Sequence, residues 1–120
     1  MRRALRALAV PLAVGLAGCA RPPDPCAAVC ARAAAAWRAC LHARGQGWPD
    51  AGYADERAFL DSCDTWAWEL RQLEADAEAA GAVDAFCADA SATLRDAPDT
   101  GGPEGACAAV GAVDWAWSPG

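Results

Sequence analysis

Six cysteines, at positions 26, 30, 40, 63, 87 and 107, constrain this chain more than any other feature. The first three lie in a stretch, 26–44, that holds neither Gly nor Pro. Asp24-Pro25 precedes it, a side chain suited to cap a helix and a ring suited to its first position, and Gly45 follows where a left-handed residue closes a helix. Cys26, Cys30, Ala33, Trp37, Cys40 and Leu41 recur at helical spacing on one face, the three sulfurs within about 80° of arc. An even set of cysteines in a small exported domain reads as a disulfide framework. A helical rod would hold Cys40 about 15 Å from Cys30 and about 21 Å from Cys26 along its axis. Cys26 and Cys30 are closer, but their side-by-side Cβ vectors suit a disulfide poorly. Each of the three must therefore bond one of Cys63, Cys87 and Cys107.

Heights along the rod suggest which. If a short loop makes the first two helices antiparallel, Cys40 falls level with Cys63, and a third helix climbing beside the first brings Cys87 near Cys30 and Cys26. The expected set is Cys40–Cys63, Cys30–Cys87 and Cys26–Cys107, with the partners of Cys26 and Cys30 exchangeable. Each bridge would contribute about 2–4 kcal/mol, comparable to the net stability of a domain this small.

Apolar periodicity supplies the other helices. Phe59, Cys63, Trp66, Leu70, Leu73, Ala77 and Ala80 form a seam over 55–81, with charged residues on the other faces and a break point at Asp61-Ser62. Val83, Cys87, Ala90 and Leu94 mark a helix over 83–95, and residues 98–103 read as a loop. The tail, 106–117, mixes helical and alternating patterns; a short helix with an irregular end is expected. The predicted fold is all-α: one disulfide-stapled bundle of three to four helices spanning 26–120.

The N-terminal segment is of another kind. Arg2, Arg3 and Arg6 precede an apolar run, 7–16, much shorter than the ~20 residues of a membrane span. The run ends in Leu16, Ala17, Gly18 and Cys19, which resembles the lipobox of bacterial lipoproteins. The resemblance implies that residues 1–18 are a cleaved signal peptide and that Cys19 is lipidated, giving a stable membrane anchor. Ala20, where retained inner-membrane lipoproteins often carry Asp, implies the outer membrane of the cell envelope. Residues 19–25 then form a Pro-rich tether reaching only about 20 Å.

The formal net charge is −6, and loss of Arg2, Arg3 and Arg6 with the signal takes it to −9. Such acidity argues against nucleic acid as a partner. The membrane through the anchor, and another envelope protein, are the expected partners. Trp37 and Trp66 fall on core seams, whereas Trp48, Trp68, Trp115 and Trp117 are the candidate contacts, since indoles anchor interfaces and stack on sugars. A non-catalytic binding or structural role is therefore expected. The alternative is a copper- or zinc-binding lipoprotein using Cys26, Cys30, Cys40 and His42, but oxidised sulfur cannot ligate as thiolate and His42 lies well round the helix from Cys40. No metal or cofactor is expected. Nor is catalysis: there is no Cys-x-x-Cys, no phosphate-binding glycine loop and no Lys. Asp61 and Asp64 suggest a carboxylate pair, but solvated surface acids are the commoner case.

Overall fold

The computed structural model describes residues 24–95 and 102–120. The lipobox Leu16-Ala17-Gly18-Cys19, the tether up to residue 23 and most of the loop over 98–103 lie outside them. Four helices make up the fold: α1 (Pro25–Ala43), α2 (Glu56–Asp76), α3 (Ala82–Arg95) and α4 (Gly102–Ala112), with no strand among the described residues. The all-α, disulfide-stapled reading holds.

Helix α1 starts as its sequence dictates. Asp24 accepts a hydrogen bond from the Cys26 amide at 2.9 Å, Pro25 occupies the first turn, and Gly45 adopts φ 63° beyond the last turn. Cys26, Val29, Cys30, Ala33, Ala34, Ala36, Cys40 and Leu41 are buried. At 100° per residue they span about 160°, too wide for one partner and matched to several. Accordingly α1 packs against α2, α3 and α4, and its small alanines let the neighbours approach closely.

Long-range contacts give the directions. Arg38 meets Glu56, Cys30 meets Cys63, and Asp24 meets Arg71, so α2 runs antiparallel to α1. Cys26 meets Cys87 and Arg32 meets Ser91, so α3 runs parallel to α1. Cys107 joins Cys40, near the α1 C-terminus, while the segment after α4 descends past Trp66 to Phe86. The order is up, down, up, down.

The disulfides are Cys26–Cys87, Cys30–Cys63 and Cys40–Cys107. Every α1 cysteine bonds outward, each to a different helix, as the rod requires. The expected set Cys40–Cys63, Cys30–Cys87 and Cys26–Cys107 is corrected at all three bridges; only the exchange left open contained a true one, Cys26–Cys87. The cause is register. Matching Arg38 with Glu56 and Asp24 with Arg71 sets Cys63 beside Cys30, about 14 Å from the level of Cys40. The loop between α1 and α2 does not simply reverse the chain. It folds back through a 3₁₀ turn, Trp48–Ala51, pinned by Asp50 Oδ2 accepting from the Gly47 amide at 2.8 Å. Cys40 is then left above the start of α2, where α4 covers it.

Helix α2 also stops earlier than its seam suggested, at Asp76 rather than Gly81, and has no break at Asp61-Ser62. Beyond the Arg71–Asp24 contact there is no α1 left to pack against, and Leu73 is 46% exposed. The end is a Schellman turn: the Ala79 amide donates to the Glu74 carbonyl at 3.1 Å, with Glu78 at φ 54° where glycine is usual. Glu74 then accepts from the Val83 amide at 2.7 Å, so a side chain of α2 caps α3.

Candidate functional site: an aromatic cavity

Aromatic side chains from four places in the chain converge beside the Cys30–Cys63 bridge. Trp37 projects from α1, Tyr53 from the loop, Phe59 and Trp66 from α2, and Trp115 from the segment after α4. With Ser62 and Cys63 they line a cavity of about 250 Å³. The i, i+4, i+7 spacing of Phe59, Cys63 and Trp66 places these three on the face of α2 that meets α1.

The rings brace one another. Tyr53 stands edge-on to Phe59 at 5.2 Å between centroids and 89° between planes, and Trp48 packs on the same Phe59 at 5.3 Å. Trp66 meets Trp115 at 5.3 Å and 65°, and Phe86 at 6.2 Å and 65°. Phe86 is stacked flat on Trp117, planes 1° apart at 4.3 Å. Such packing adds about 0.5–1.5 kcal/mol per pair beyond burial. Trp115 Nε1 donates to the Val110 carbonyl at 3.0 Å. Trp66 Nε1 is buried without a hydrogen-bond partner among the described residues.

The lining carries no ionisable side chain apart from the Tyr53 phenol; its polar groups are that hydroxyl, the one on Ser62 and the indole N–H groups of Trp37, Trp66 and Trp115. Such a surface can hold a small ligand by contact, π-face attraction and one or two hydrogen bonds.

Of the four tryptophans expected to meet partners, Trp68 is 62% exposed and stands apart from the cavity. Trp48, Trp115 and Trp117 are half-buried and pack against the core, Trp115 as a wall of the cavity. Trp37 and Trp66, assigned to packing, line it as well. The sequence missed Tyr53 and Phe59 as site residues; a turn-borne Tyr just before the start of α2 was the only signal. Asp61 and Asp64 are exposed, and Asp61 lies 3.7 Å from Arg57. Cys26, Cys30 and Cys40 are all in disulfides, His42 is exposed in the last turn of α1, and no group of three His, Cys, Asp or Glu gathers among the described residues. No described helix is long and apolar enough to cross a membrane.

A three-residue charge cluster lies away from the cavity. Arg71 bridges Asp24 and Asp84, and its affinity for the proton is raised, mainly by the hydrogen bond to Asp84, with Asp24 adding and burial opposing. It joins the starts of α1 and α3 to α2. No protein-family model, curated protein or solved structure matches this chain.

Proposed function

We propose that this chain is a lipid-anchored, non-catalytic binding component of the bacterial cell envelope, its disulfide-stapled bundle holding an aromatic ligand cavity close to the membrane. The cavity carries the binding half of this reading: rings from α1, α2, the loop and the C-terminal segment meet around about 250 Å³ with no carboxylate, imidazole or guanidinium in the lining. The anchor half rests on the resemblance of residues 16–19 to a lipobox and on the short tether that follows. Three disulfides in so small a domain support an oxidising compartment, and Ala20 after Cys19 supports the outer membrane as the destination.

The test is metabolic labelling with palmitate followed by fractionation. The wild-type chain incorporates label and sediments with outer membranes, and Cys19→Ser abolishes labelling and releases the domain to the soluble fraction. Retention of Cys19→Ser in the membrane without label would overturn the anchor.

A further inference from the structure

We propose that the aromatic cavity takes an alkylated ammonium group, of the kind choline carries. This rests on reading the chain as a binding module and names the ligand class for that site. Three observations select the chemistry. First, rings at steep mutual angles, Trp66 to Trp115 at 65° and Tyr53 to Phe59 at 89°, give the cavity walls in more than one plane. Aromatic faces carry negative potential, so each wall that turns its face to the cavity attracts a cation.

Second, the lining has no carboxylate; its polar groups are the Ser62 and Tyr53 hydroxyls and three indole N–H groups. A strongly hydrated ammonium or metal ion would lose its water there without a counter-charge to replace it. An alkylated ammonium is weakly hydrated and apolar outside, so it keeps the Coulomb attraction and sheds little. Third, the surrounding field favours cations. The chain carries −6 overall, and Asp64 and Asp114 adjoin the lining residues Cys63 and Trp115 in sequence, while Asp61 beside Ser62 is 3.7 Å from Arg57. The one base next to a lining residue, Arg38, is taken up by Glu56 at 2.6 Å. An anion is repelled by this field. The size also fits: a dry cavity of about 150 Å³ holds one benzene ring, so this one has room for a single compact group.

The experiment uses the full mature chain, oxidised and carrying Cys19→Ser so that no acyl chain competes for the cavity. Choline is titrated while the indole Nε1–H resonances are followed by NMR, with 3,3-dimethyl-1-butanol, its neutral carbon isostere, as the comparison. Choline is expected to bind saturably at about 1 mM, shifting the Trp37, Trp66 and Trp115 signals, and the neutral isostere at least tenfold more weakly. Trp115→Leu and Tyr53→Leu should each weaken choline about tenfold, and Trp68→Leu should leave it unchanged. Using both cavity variants guards against either one failing to fold.

Equal binding of choline and the isostere would overturn the ammonium assignment while leaving the binding-module reading intact. Binding of neither would remove both and leave the anchor untouched. Co-flotation with phosphatidylcholine but not phosphatidylglycerol vesicles supports the site with a lipid headgroup as the source. Choline binding without flotation supports it with a soluble source.

Discussion

Arg71 Nη2 donates to Asp24 Oδ1 at 2.8 Å, and that same oxygen accepts the Cys26 amide that opens α1. One carboxylate oxygen thus caps the first helix and ties it to the second, at the point where the proposed tether would enter. Asp84, 3.0 Å from the same Nη2, brings α3 into the arrangement.

Both partners are partly solvated, so the ion pair is screened and the cap is the larger contribution. Asp24→Ala should cost about 1–2 kcal/mol, and Arg71→Ala about 0.5–1 kcal/mol. A double-mutant cycle by urea denaturation of the oxidised chain should show coupling of about 0.5 kcal/mol. Zero coupling would mean that the contact is incidental. Because the Arg71 pKa is raised in the folded state, its proton is not lost as pH rises through neutral and mildly alkaline values, and its contribution fades on that side only in strong alkali. The measured coupling should therefore not decline between pH 6 and pH 9.

Non-reducing peptide mapping should return Cys26–Cys87, Cys30–Cys63 and Cys40–Cys107, and a Cys40–Cys63 peptide would overturn the register derived above. The bridges close separations of 61, 33 and 67 residues. Loop-closure entropy grows only logarithmically, so their stabilisation should differ by only about 0.6 kcal/mol around a value near 4 kcal/mol. Removing the pairs one at a time as Cys→Ala doubles should lower stability by similar amounts, with the Cys30–Cys63 loss mildest. A bridge whose removal is silent in thermal unfolding would show that its level of the bundle is held by packing alone.

What the sequence could and could not convey divides along locality. The α1 boundaries, its Asp24 cap and the outward direction of all three bridges follow from neighbours within a turn or two, and these hold. The partner of each cysteine does not, because it depends on how far α2 slides along α1. That slide is set by the loop, where Trp48 and Tyr53 lean on Phe59 and draw the chain back. The α2 terminus was hidden for a related reason: Gly81 is the obvious stop, yet Glu78 takes the left-handed position because the packing surface has already ended. The cavity was only half legible. Its tryptophans stood out, but four separate segments had to be brought together before Tyr53 and Phe59 could be recognised as walls.

Glu78 gives a direct test of that helix end. A side chain at φ 54° carries about 1 kcal/mol of strain that glycine avoids. Glu78→Gly should therefore raise stability by about 0.5–1 kcal/mol despite the freer unfolded chain, visible as a higher urea midpoint with unchanged slope. A destabilised variant would imply that α2 continues as a helix through this position.

The two indoles that meet in the cavity wall should respond unequally to the same substitution. Trp115 Nε1 donates to the Val110 carbonyl, which lies in the last turn of α4 where intrahelical donors run out. Trp115→Phe removes that hydrogen bond as well as part of the ring, and should cost about 1.5–2.5 kcal/mol. Trp66 Nε1 is buried with nothing among the described residues to receive its hydrogen, a desolvation penalty of about 1–3 kcal/mol already present in the native state. Trp66→Phe relieves that penalty while giving up a similar amount of packing, so its stability should stay within about 1 kcal/mol of wild type. Urea denaturation of both oxidised variants decides the matter. If Trp66→Phe proves the more damaging, its indole nitrogen has a partner in solution, and the wall of the cavity is wetter than its apolar lining implies.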